Sequence, residues 1–175
     1  MKRNKRTIIE DYILPNRKLY IGIDNGVSGT IGWSNGSDIF GQVKIPCFSE
    51  KNYTKAKGNI TRVNHEKLKE LLNLINKQCA LAIIERPMVN PGRFQATISA
   101  VRALESVQIA LMALSIPYQF VDSKEWQKDM LPKGLKGEEL KKASRDIGKR
   151  LFPSINGTPD CDGILMAEWS RRKRL

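Results

Sequence analysis

The chain has 175 residues, 41% of them hydrophobic, enough for one domain with a real core and too few for two. Its 30 Lys and Arg against 18 Asp and Glu leave a formal charge of +12, spread along the chain. That charge points to a polyanionic partner, nucleic acid before a membrane surface, because no segment sets basic residues opposite an apolar stripe.

Residues 1–18 carry six Lys or Arg against two acids and read as a basic arm ahead of a domain over 19–175. Their apolar run is too short for a signal peptide or a membrane core. Three isolated cysteines, Cys47, Cys79 and Cys161, and one histidine, His65, support neither a disulfide framework nor a zinc site. The expected location is therefore a reducing cytoplasm.

LYIGID, residues 19–24, suits a central strand, and TIGWS and IFGQVKIP continue it as two more strands in a meander. HEKLKELLNLINKQ, residues 65–78, spaces Leu68, Leu71, Leu72 and Ile75 as a helix does, with Asn64 as its cap. ALAIIERP follows as a second fully apolar strand ending on Glu85, with Pro87 stopping it. Residues 94–114 predict a long helix, apolar nearly all round in its second half, either sandwiched in the core or shared with a second subunit. PYQFVDS predicts a short strand capped by Asp122 or Ser123, and KEWQKDM one or two helical turns, with Trp126 and Trp169 as packing residues. After the loop LPKGLKG, residues 138–151 form a basic helix, and DCDGILMAEWSRR a final helix with Asp160 and Asp162 in its first turn. Strands alternating with helices after a meander argue for one α/β domain with a mixed sheet.

Asp24 ends the first strand and is followed by Gly26 and Gly29. Asp-Asn-Gly is ordinary hairpin chemistry; alternatively Asp24 holds a metal ion and the glycines admit a phosphate backbone. With Glu85, Asp160 and Asp162 also at element ends, the second reading gains weight. Grouped carboxylates cost Coulomb energy and desolvation unless a cation compensates, and oxygen-only ligands suit Mg²⁺ or Mn²⁺.

IGIDNGVSG, AIIERP and DCDGILMAEW, in that order over residues 19–172, resemble the RuvC-like Holliday-junction resolvases of the RNase H-like nuclease superfamily, small phage-encoded versions in particular. The resemblance implies an RNase H-like mixed five-stranded sheet flanked by helices. It makes Asp24 the shared ligand of two Mg²⁺ ions, for which Mn²⁺ substitutes, with Glu85 and Asp162 as further catalytic acids. The family pattern GIDPG is met here by GIDNG, a change at Asn25 that leaves the acid in place. The family sets its two helix acids three residues apart, which falls on Pro159. Asp160 therefore either fills that role with a shifted helix start or only favours the positive end of the helix dipole.

The chemistry implied is two-metal phosphodiester hydrolysis, in which one ion activates the attacking water and the other stabilises the leaving 3′ oxygen. Branched DNA and a homodimer are the implied partners, with no membrane. Lys133, Lys136, Lys141 and Lys142 are candidates to offset charge on the phosphate, each equally readable as a solvated surface lysine. Gly92, Arg93 and Phe94 combine a turn, a guanidinium and a ring for DNA contact, or else form a plain loop with Phe94 as a staple. Two alternatives share the fold: an RNase H acting on RNA-DNA hybrids, and a DNA-binding protein without the chemistry. Actin-like ATPases also use such a glycine hairpin but need two such domains.

Overall fold

The computed structural model describes residues 18–52, 58–75 and 79–175. The expected basic arm, save Lys18, lies outside the described residues, as do residues 76–78 at the end of the first expected helix. Three strands, β1 (Leu19–Ile23), β2 (Thr30–Ser34) and β3 (Phe40–Lys44), form the antiparallel meander that the alternating apolar pattern predicts. A ribbon follows: β4 (Cys47–Lys51) pairs antiparallel with β5 (Asn59–Val63), apart from the main sheet.

Helix α1 (His65–Ile75) starts where Asn64 Oδ1 accepts from the Lys67 backbone N–H at 3.1 Å, an N-cap as expected. It leads into β6 (Cys79–Glu85), which pairs parallel with β1. A 3₁₀ turn (Pro91–Arg93) then opens α2 (Phe94–Ala113), and β7 (Tyr118–Val121) returns parallel beside β6. The result is a mixed five-stranded sheet in the order β3-β2-β1-β6-β7. Helices α3 (Ser123–Met130), α4 (Gly137–Leu151) and α5 (Asp162–Lys173) complete the fold.

Strand alternation divides the core between the two sheet faces. Ile21, Ile23, Ala82 and Ile84 pack with Leu68, Leu72, Val107 and Leu111 of α1 and α2. Tyr20, Leu81 and Ile83 face the other way, onto Trp126, Ile164, Leu165 and Trp169 of α3 and α5. Trp126 and Trp169 are thus core residues, as expected.

Two expectations are corrected. Helix α5 begins at Asp162, so Asp160 sits before the helix and not in its first turn. Helix α2 is not sandwiched: Ala103, Val107, Ala110 and Leu111 are buried, whereas Val101, Ile109 and Met112 are 44%, 46% and 58% exposed. By length and composition alone Pro91–Ala113 is apolar enough to cross a membrane, yet one face of it forms the core against the sheet and α1.

Candidate active site

Register brings the first two acids together. In the parallel pair β1 and β6, Ile23 lies beside Ile84, so the next positions, Asp24 just past β1 and Glu85 at the end of β6, come side by side. Adjacent strands are about 4.8 Å apart. Since Ile23 and Ile84 both face α1 and α2, alternation turns Asp24 and Glu85 to the other face, where α5 lies.

Helix α5 reaches that end of the sheet because the strands beneath it carry no side chain where it crosses. Gly22 and Gly32 are register partners on β1 and β2. A Cβ on Gly22 would lie 2.1 Å from the Gly163 carbonyl oxygen, and one on Gly32 2.1 Å from the Ile164 nitrogen. The start of α5, and Asp162 with it, therefore rests directly on the backbone. Thr30 and Gln42 tie down the same segment. Thr30 Oγ1 accepts from Gly163 N at 3.1 Å, and Gln42 Oε1 accepts from Ile164 N at 2.8 Å while its Nε2 donates to the Asp160 carbonyl at 2.8 Å.

The outcome is a trio: carboxylate oxygens of Asp24, Asp160 and Asp162 lie within 4.8 Å of one another, each side chain partly buried. Glu85 stands outside that trio but close enough to raise Asp24 by its charge. The turn after Asp24 does need its glycines: Gly26 has φ +144°, and a Cβ on Gly29 would lie 2.0 Å from the Asp24 carbonyl oxygen. Hairpin geometry and an acid that belongs to the trio thus coexist at Asp24. Asn25 points away, its Nδ2 donating to the Ala100 carbonyl of α2 at 3.1 Å, and its buried Oδ1 has no hydrogen-bond partner among the described residues.

Burial lifts the Asp24 carboxyl well above the ordinary range, and the charges of Glu85, Asp162 and Asp160 add to the rise. Burial likewise raises Glu85 to about 7, against a hydrogen bond from Trp126 and with Asp162 and Asp160 reinforcing it. Asp162 goes to about 6, burial again leading, with Ser144 and Lys141 opposing the rise and Asp160 adding to it. These carboxyls hold protons unusually tightly, first because they are buried and then because neighbouring carboxylates crowd them. An all-oxygen set of this kind fits a hard divalent cation, Mg²⁺ or Mn²⁺, which would take the place of those protons.

The nucleic-acid candidates fall in two places. Arg93 closes the 3₁₀ turn and Phe94 opens α2, 64% exposed and not packed as a staple. Phe94 lines a groove of about 450 Å³ with Ile98 and Arg102 of α2 and Ile60 and Arg62 of the ribbon. Lys133 and Lys136 are exposed on the loop between α3 and α4, and Lys141 and Lys142 are exposed on the first turns of α4. Of the four, Lys141 is near enough to Asp162 to favour its ionised form, and it also pairs with Glu138 at 3.4 Å.

Sequence reasoning missed the framework around the acids: Gly22, Gly32, Thr30, Gln42, Ser144, and Trp126 in its role as a donor to Glu85. One signal was present, since a glycine inside an apolar strand marks close backbone approach. The polar partners had none, because the elements carrying them are far apart in sequence.

Structures of known proteins share this fold. Thermus thermophilus RuvC superposes with a TM-score of 0.55 at 12% identity, over 89% of this chain and 96% of that one. The same protein in complex with Holliday junction substrate gives 0.52, with equal identity and coverage. The yeast mitochondrial Holliday junction resolvase is less alike, at 0.43 and 14% identity over 95% of this chain and 82% of that one. No protein-family model matches the sequence, and no curated protein matches it. The likeness is one of fold: a mixed five-stranded sheet flanked by helices, as in RuvC.

Proposed function

We propose that the protein is a divalent-metal-dependent, structure-specific endonuclease that resolves four-way DNA junctions by paired nicks. The observation that carries this reading is the Asp24, Asp160 and Asp162 trio, with Glu85 beside it, at one end of a RuvC-like sheet in a chain of charge +12. The structure of Thermus RuvC with a Holliday junction substrate supports the choice of DNA.

Asp24, Asp160, Asp162 and Glu85 would hold the cations, with Asp24 shared between two. Bound there, Mg²⁺ or Mn²⁺ supplies Lewis acidity, favouring a hydroxide nucleophile near neutral pH and offsetting charge on the phosphate oxygens. Lys141, close to Asp162, adds positive charge at the same edge. Lys133, Lys136 and Lys142, all exposed, serve as further phosphate contacts, and Arg93 and Phe94 as contacts to the branched DNA. The open α2 face with Val101, Ile109 and Met112 joins two copies, which gives the dyad that paired nicking needs. Phage encoding, which rests on the sequence motifs, and action in a reducing cytoplasm, which rests on the isolated cysteines, belong to the same proposal.

Cleavage of a four-way junction, fork, flap, duplex and RNA-DNA hybrid in Mg²⁺ and in Mn²⁺ tests the assignment. The junction should be cut fastest, in symmetric pairs. Preference for the hybrid would instead favour an RNase H, equal cutting of all substrates a general nuclease, and tight binding without cutting a non-catalytic protein.

A further inference from the structure

Two buried donors, Trp126 and Ser144, grip the acid cluster from outside. Trp126 on α3 is fully buried and donates its indole Nε1–H to Glu85 Oε2 at 2.8 Å. Ser144 on α4 is 1% exposed; its Oγ accepts from the Cys161 backbone N–H at 3.2 Å and donates to Asp162 Oδ1. An indole N–H can only donate, and a hydroxyl has a single hydrogen, so both protons are committed to the carboxylates.

Each bond anchors one carboxylate oxygen, Oε2 of Glu85 and Oδ1 of Asp162, and takes only one of the carboxylate's lone pairs. It also fixes a terminal carboxylate torsion that is otherwise broad. Close packing supports the Ser144 contact, since a Cβ on Gly148, one turn along α4, would lie 2.2 Å from the Cys161 Cβ. Helix α4 thus lies flush against the segment that carries Asp160 and Asp162.

We infer that Trp126 and Ser144 are positioning residues of the divalent-cation site, orienting Glu85 and Asp162 so that each offers one oxygen to the metal. This rests on the reading that the acid cluster binds metal. Helices α3 and α4, which contribute no acid to the cluster, then belong to the site, and outer partners of this kind are worth about 10- to 100-fold in metal affinity.

The test is Mn²⁺ binding to the DNA-free protein, followed by the electron paramagnetic resonance signal of free Mn²⁺ and by the rise in Tm that Mn²⁺ produces. Ser144→Ala and Trp126→Phe should each weaken Mn²⁺ binding at least about 10-fold and shrink the rise in Tm. A packing role alone would lower the metal-free Tm and leave the Mn²⁺ Kd at the parent value, and that result overturns the inference. Ser144→Ala removes one oxygen and decides the matter if Trp126→Phe does not fold. Should the parent take up no Mn²⁺, the metal reading fails and this inference with it; parent binding with unchanged variants overturns the inference alone.

Discussion

Gly22 of β1 lies so close under Gly163 of α5 that a Cβ on Gly22 would stand 2.1 Å from the Gly163 carbonyl oxygen. The position of Asp162 opposite Asp24 depends on that approach. Gly22→Ala should lift the start of α5, destabilise the protein by about 1–3 kcal/mol as overpacking does, and abolish cleavage. Urea denaturation and a junction-cleavage assay check this. Gly58→Ala is the control, since a Cβ there meets nothing within 4 Å, and it should change neither.

The raised carboxyls make a prediction about pH with an inverted sign. A carboxyl whose folded pKa exceeds its unfolded value binds more protons in the native state, so its contribution is full below the unfolded pKa and lost as pH rises through the folded one. With Asp162 raised from 3.8 to about 6 and Glu85 from 4.5 to about 7, the metal-free protein should lose stability from about pH 4 to about pH 7. Asp24→Asn, which removes one of the crowded charges, should flatten that slope in metal-free thermal melts. Mg²⁺ should stabilise the parent more at pH 8 than at pH 5.

Adjacent residues of α2 should behave in opposite ways. Leu111 is fully buried and Met112 is 58% exposed. A charge at Leu111 should unfold the chain, whereas Met112→Glu should leave the fold intact and convert a dimer to a monomer in sedimentation. A parent that sediments as a monomer at micromolar concentration removes the dyad from the account.

Phe94, 64% exposed, should be dispensable for folding. Phe94→Ala should leave the Tm within experimental error and weaken junction binding by about 1–3 kcal/mol if the ring stacks on a base. Lys141→Ala should weaken binding with a shallower salt dependence, because one phosphate contact and its released counterion are gone.

The strands that carry Asp24 and Glu85 were legible because an apolar run ending on a carboxylate is visible along the chain. That the two acids emerge side by side was not, since it depends on the register of Ile23 with Ile84 across some sixty intervening residues. The ribbon of β4 and β5 is not legible along the chain because its strands are half-exposed and carry Ser49, Glu50, Thr61 and Arg62 where a core strand would be apolar. The start of α5 was read two residues early, because acids at a helix N-terminus and acids just before it look alike along the chain. Asp160 instead uses Oδ1 to accept from the Asp162 N–H at 3.3 Å and from the Thr30 hydroxyl at 3.4 Å. The grips of Trp126 on Glu85 and Ser144 on Asp162 join elements that only the tertiary fold brings together.

The central claim is that the acids around Asp24 hold metal for cutting branched DNA, and the most direct measurement follows a labelled four-way junction with the parent and with Asp24→Asn. In Mg²⁺ the parent should nick two strands of like polarity at symmetric positions. Removing Mg²⁺ with a chelator should stop cutting while leaving binding intact, and Asp24→Asn should bind the junction equally well and cut nothing in either condition. Efficient cutting by Asp24→Asn, or by the parent without a divalent ion, would contradict the account.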